Sequence, residues 1–422
     1  RNNIGYFCSF VLKISTDRFF FFSSTYMAKW DKRMIIRAKR LFIIPVHLSK
    51  KLPKSQAMKL KFVFISVLTI QLCSCSLSGE KKTTGDEIYS QSFIKEKMLE
   101  VFRWQIGHPV DLNAEQEQWA RSVFYSGIMY AYQTTSDPVY LEQTKKWADG
   151  WDWKRGRRFR HADDLACGQA YLDVYKVESD PKMLWGIQQA VDSLIADPKP
   201  GRVDWWWCDA LYMEPPVLAR LADITGDTKY YEYLQDMYWD STDFLYSKED
   251  SLFFRDKRYF NALTANGQKV FWGRGNAWVI GGLAQLLSLV PKNNPIYKDY
   301  QELYIQMMTK IASVQQPDGL WRASLLDPDE VPVKETSSST FFTFAMIWGI
   351  NNGLLPQDTY LPKVRRAWTA LLDCIDENGK LGYVQAIGAS PENVKASDNQ
   401  EYGSGAFLMA ASEMYKFAER EK

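Results

Sequence analysis

Asp209 closes the run Asp204-Trp205-Trp206-Trp207-Cys208 and opens an apolar helical pattern, so three indoles and a thiol crowd its carboxyl group. Such crowding disfavours the carboxylate and raises its pKa, which is what a general acid needs near neutral pH. A helix N-terminus pulls the other way, because its dipole favours the charge, and Asp at that position is also an ordinary N-cap. The pattern leaves both readings open. A second acidic pair, Asp163-Asp164, follows His161-Ala162 and precedes a helical segment containing Gly168. One of these acids can be a cap, but two acids on separate aromatic loops are also what acid/base work on a glycosidic bond requires. The rings on the same loops, Trp207 among them, are of the kind on which sugars stack.

The segment Phe271-Trp272-Gly273-Arg274-Gly275-Asn276-Ala277-Trp278 sets Trp272 and Arg274 just before another helix. The planar fork of Arg suits a carboxylate ligand, or it pairs with a nearby Asp. Asp318-Gly319-Leu320-Trp321 and Glu335-Thr336-Ser337-Ser338-Ser339-Thr340 follow. Helix capping accounts for one hydroxyl, whereas the whole run offers several donors to an anion. Other chemistries find little support. Beyond residue 75 the chain has only His108 and His161, and Cys167, Cys208 and Cys374 at no metal spacing. A three-ligand zinc site and a Ser–His relay are hard to build from these, and the thiols read as buried and free. Gly273-Arg274-Gly275 lacks the third Gly of a dinucleotide loop. No metal or organic cofactor is expected.

These residues share one placement, on long loops between helical segments. Tight joints at Ser136-Asp137-Pro138, Ser179-Asp180-Pro181, Gly226-Asp227, Asn293-Asn294-Pro295 and Gln357-Asp358 alternate with roomy ones near 152–163, 197–208, 244–273, 317–335 and 376–401. Apolar periodicity predicts about twelve helices between residues 90 and 419, and a turn-then-Tyr pattern recurs, as in Asp137-Pro138-Val139-Tyr140 and Asp227-Thr228-Lys229-Tyr230. With antiparallel neighbours, every long loop falls on one end. The expected fold is all-α, an (α/α)6 barrel, with a small β hairpin from Ser251 to Phe271 on the long-loop face. An open superhelix of helix pairs is the competing arrangement.

Residues 1–57 read poorly as a folded segment, beginning at Arg1 and carrying 12 Lys/Arg against Asp17 and Asp31, and are expected to be untranslated upstream sequence or a disordered leader. Residues 58–75 have a basic start, an apolar core from Phe62 to Ile70 and small residues before Cys75, the pattern of a bacterial lipoprotein signal lipidated at that Cys. A linker, 76–90, and a catalytic domain, 91–420, follow. Beyond residue 75 stand 38 Lys/Arg against 48 Asp/Glu, a net charge of −10. Phosphate binding needs a basic face, so no nucleic-acid partner is expected, and membrane contact is expected only through a lipid anchor. The chain is expected to be exported and anchored in the bacterial envelope, on the periplasmic side or in the outer membrane.

Together, Ala162-Asp163-Asp164 with Gly168, Trp207-Cys208-Asp209-Ala210-Leu211-Tyr212-Met213, Phe271 to Trp278, Asp318 to Trp321, and Glu335-Thr336-Ser337 leading to Trp348-Gly349-Ile350-Asn351-Asn352-Gly353 resemble glycoside hydrolase family 105, the unsaturated rhamnogalacturonyl hydrolases. The resemblance spans roughly residues 95–420. It implies removal of a 4,5-unsaturated uronic acid from the non-reducing end of lyase-generated oligosaccharides, pectin fragments foremost, so the partner is an anionic oligosaccharide. By the same resemblance Asp209 is the catalytic acid, and Asp163 or Asp164 supplies a second carboxylate. Trp272, Arg274, Trp278, His161, Trp207, Trp321, Thr336, Ser337 and Ser338 line the substrate. Some members carry His in the hairpin region where this chain reads Phe254-Arg255-Asp256-Lys257-Arg258-Tyr259, so Arg255 or Arg258 is expected to meet an anionic leaving sugar. Two other readings stand beside it: an inverting glycosidase acting on saturated oligosaccharides, and a non-catalytic glycan-binding lipoprotein.

Overall fold

Twelve helices of eleven or more residues form the described part of the chain: α1 Gln91–Gly107, α2 Gln118–Thr135, α3 Pro138–Gly150, α4 Cys167–Glu178, α5 Lys182–Ala196, α6 Pro215–Thr225, α7 Lys229–Leu245, α8 Gly273–Leu289, α9 Tyr297–Ser313, α10 Thr336–Asn351, α11 Gln357–Leu372 and α12 Glu401–Arg420. The computed structural model describes residues 87–110 and 118–420. The upstream segment 1–57, the signal 58–75 with Cys75, and the linker to residue 86 lie outside the described residues.

Even-numbered helices are buried on most sides and sit inside; α8 and α10 bury nearly every residue. Odd-numbered helices bury one stripe, as α5 does with Met183, Ile187, Ala190, Val191 and Leu194 at helical spacing. Each inner helix packs on the next, and α12 returns to α2, so the ring closes. Closure depends on backbone touching backbone: a Cβ on Gly127 of α2 would lie 2.2 Å from the Gly405 carbonyl oxygen of α12. The expected (α/α)6 barrel is the observed fold.

Short turns follow the inner helices and long loops precede them. The N-termini of α4, α6, α8, α10 and α12 therefore open onto the long-loop face, with their amide dipoles directed there. Two expected boundaries move. The helix expected from Asp209 is interrupted, because Pro215-Pro216 supplies no backbone donors; a single turn, Ala210–Met213, precedes α6. The hairpin forms earlier than expected, pairing β1 Tyr246–Ser247 with β2 Leu252–Phe253. Beyond Phe253 the Asn276 side chain takes over the partners, accepting from the Phe253 N–H at 2.8 Å and donating to its carbonyl at 3.0 Å, and only the isolated bridge Leu263 to Lys269 forms around Asn266-Gly267.

Candidate active site

Asp209 is held at the mouth of the barrel by the turn 210–213, which lies on α8 so closely that a Cβ on Gly282 would meet the Leu211 carbonyl at 2.3 Å. Its side chain makes no capping bond. Instead Oδ1 accepts from the Cys208 thiol at 3.3 Å and faces the Arg255 guanidinium, with Nε at 3.9 Å. The loop after β2 brings Arg255 there, and its carbonyl accepts from the Cys208 N–H at 2.8 Å.

The 3-10 turn Ala162–Leu165 presents the acidic pair, and Arg158 tells the two acids apart. Arg158 donates Nη2 to Asp164 Oδ1 at 2.7 Å and Nε to both Asp164 oxygens at 3.1 and 3.2 Å, whereas its approach to Asp163 is a long 3.5 Å. Asp164 is thereby committed to its own loop. Asp163 points into the same cavity as Asp209, a space of about 110 Å³. Trp119, Trp207, Trp272 and Trp278 wall that space, Arg255 and Arg274 border it, and Met213, Ile387 and Gly388 complete it. His161 stands behind Asp163, with Nδ1 at 3.5 Å from Oδ2, and its ring lies 4.6 Å from Trp207.

Burial sets the electrostatics. The Asp209 carboxyl is pushed up by desolvation, against the pull of Arg255, the Cys208 thiol and Arg274, so the indoles prevail over the opposing charges. Asp163 rises to about 7, first through burial, which Arg158 partly offsets, then through the Asp209 and Asp164 charges. His161 falls to about 4 through burial and the Arg158 charge, so it is neutral near pH 7. Two carboxyls raised by burial, one of them to about 7, beside cations, can deliver and retrieve a proton within one cleft.

Other expected residues lie elsewhere or serve the frame. Arg274 donates Nη1 to the Gln385 carbonyl and Nη2 to that of Ala386, each at 2.8 Å, its guanidinium between Trp272 at 4.5 Å and Tyr402 at 5.1 Å. Trp272 Nε1 donates to Gln385 Oε1 at 2.9 Å, so both anchor the last long loop while facing the cavity. Trp321 is fully buried against Phe342 and donates to the Ile311 carbonyl, away from the cleft. The anion served by the hydroxyl run is the chain's own Glu335, which accepts from the backbone N–H groups of Ser337 and Ser338 at 2.7 and 2.8 Å and from both their hydroxyls. Thr336 donates to the Gly382 carbonyl. Arg258 points outward, 61% exposed, with a bidentate grip on Asp256. Arg255 is the hairpin arginine inside. Trp119 and the Ile387-Gly388 loop carried no local motif, and tertiary folding alone brings them in. A larger cavity of about 680 Å³ opens at the opposite end, beside the buried Asp173–Arg220 pair, and holds none of the expected residues.

A closed ring of six helical hairpins, with two buried carboxyl groups and a wall of indoles at its wide mouth, defines a glycoside hydrolase of the six-hairpin class. Within that class the chain belongs to the family described as Glycosyl Hydrolase Family 88, whose model matches residues 94–418. It is 37% identical over 385 residues to an unsaturated 3S-rhamnoglycuronyl hydrolase of Formosa agariphila, covering 87% of this chain and all of that one. A glycosyl hydrolase family 88 structure from Bacteroides vulgatus matches with a TM-score of 0.73 at 32% identity, over 78% of this chain and 99% of that one. A solved structure described as a polysaccharide lyase gives the same TM-score and identity, covering 78% and 98%. A family 105 glycoside hydrolase from C. acetobutylicum shares the fold with a TM-score of 0.63 at 20% identity, over 76% of this chain and 99% of that one. The resemblance to family 105 therefore holds for architecture, and membership is shown for the family 88 description.

Proposed function

We propose that this hydrolase removes a 4,5-unsaturated uronic acid from the non-reducing end of oligosaccharides. Asp209 donates its proton to C4 of the vinyl ether, and the charge left at C5 is shared with the ring oxygen. Water adds at C5 and returns a proton to Asp209, and the resulting hemiketal opens to release the neighbouring sugar. Asp163, facing the same space, orients the water. One observation carries the reading: two buried carboxyls share a cavity with two guanidinium N–H groups, Arg255 Nε and Arg274 Nε, that have no hydrogen-bond partner among the described residues. Free cationic donors beside an acid suit a substrate that brings its own carboxylate. The name of the Formosa relative specifies a rhamnose-linked uronyl group, so the substrate proposed here is an unsaturated uronyl-rhamnose oligosaccharide, and this includes pectin fragments.

Ultraviolet absorbance of the conjugated double bond tests this. Lyase digests of rhamnogalacturonan, ulvan and glycosaminoglycans, with and without a 3-sulfate on rhamnose, are mixed with the protein. Hydrolysis lowers the absorbance. A rise on intact polysaccharide would mean elimination, as the lyase-described relative suggests, and release of saturated sugars would mean an inverting glycosidase. No change in any digest would sink the proposal.

A further inference from the structure

Among the described residues one cation stands close to Asp209, and no hydrogen bond joins the two side chains. Arg255 Nη1 is tied to Asp256 Oδ2 at 2.8 Å, its guanidinium lies 5.1 Å from the Trp206 ring, and its carbonyl holds the Cys208 N–H. Its Nε, buried and without a hydrogen-bond partner among the described residues, stands 3.9 Å from Asp209 Oδ1, too far for a hydrogen bond and near enough for strong attraction where water is scarce. This arrangement favours the ionised acid, yet the proposed reaction needs the protonated one. An anionic sugar entering the cavity meets the same Nε–H.

We propose that Arg255 is a positioning residue that steadies the Asp209 carboxylate in the empty cleft and is claimed by the carboxylate of the substrate, so that Asp209 takes up one proton from solvent as substrate binds. This rests on the function proposed above and adds how the acid is loaded. The ligand removes the positive charge from Asp209 and adds a negative one nearby, and both changes favour the neutral acid. Linkage then requires proton uptake on binding. The other groups facing Asp209 are Cys208 on its own loop, Arg274 on α8, Asp163 and His161 on the 3-10 turn, and Asp256 beside Arg255. Arg274 has both Nη atoms on backbone carbonyls, and Cys208 carries no positive charge, so Arg255 is the cation best placed to change partners.

Two measurements test it. Titration calorimetry with saturated glucuronyl-rhamnose, which has no double bond to protonate, is run in buffers of different ionisation enthalpy. Proton uptake is expected for the wild type and is expected to fall in Asp209→Asn, where only Asp163 still titrates in the cavity. With unsaturated substrate, the alkaline limb of the kcat profile is expected about one pH unit above that of kcat/KM, a tenfold change in proton affinity. Arg255→Gln is expected to bring the limbs together, and Arg255→Lys to keep part of the separation; melting temperatures check that both are folded. Equal proton uptake in wild type and Asp209→Asn, or a separation that persists in Arg255→Gln, overturns the proposal. Loss of absorbance with the wild type tests the hydrolase reading separately, so the two can fail independently.

Discussion

Replacing Asp163 by Asn should trade activity for stability, with a pH signature that burial dictates. In the folded chain this carboxyl is raised from 3.8 to about 7, chiefly by burial. A carboxyl raised in the folded state carries no penalty below its unfolded pKa, and the chain loses stability as pH rises through the folded value. The interval from 3.8 to about 7 corresponds to a ceiling of ~4 kcal/mol, fully expressed above neutrality. Roughly 330 residues unfold with an entropy of ~0.7 kcal/mol/K, so the ceiling in Tm is ~6 °C. The amide of Asp163→Asn cannot ionise, and Arg158 keeps its three bonds to Asp164. The variant should therefore match the wild type near about pH 4 and melt several degrees higher near about pH 8. Calorimetric scans across that range, alongside the absorbance assay, measure both effects. A Tm difference independent of pH would show that Asp163 is not a buried acid holding its proton, and the account of the site's electrostatics would fall.

Asp209→Asn should lower kcat by about 10²- to 10⁴-fold while the variant stays folded; near-normal turnover would remove it as the proton donor. Asp164→Asn removes the charge of a buried carboxylate from a partly exposed Arg158 and should cost ~1–3 kcal/mol, read as a lower Tm, and should lower the Asp163 pKa by removing a neighbouring negative charge; an unchanged Tm would refute the pairing role. Export and lipidation at Cys75 are proposed from the signal pattern; radiolabelled fatty acid should be incorporated by the wild type and not by Cys75→Ala, and label in both would refute it.

The pattern of apolar residues and breakers was enough to determine twelve helices, their alternating short and long joints, and hence one face carrying the chemistry, because helical periodicity and turn chemistry are local properties. It also marked Asp209, Trp207, Trp272 and Arg274, since acids and rings concentrated on loops need no partner to be noticed. Local pattern could not say which of Asp163 and Asp164 enters the cleft; an Arg158 five and six residues upstream makes that choice through side-chain geometry. Nor could it say that the hydroxyls of Ser337 and Ser338 are spent on Glu335, that Arg255 turns inward while Arg258 turns out, or that Trp119 and Gly388 complete the wall. Those outcomes depend on which donors the closed ring brings within hydrogen-bond reach. Ring closure itself, through Gly127 against Gly405, joins residues far apart in the chain, and such contacts leave no periodic trace in sequence.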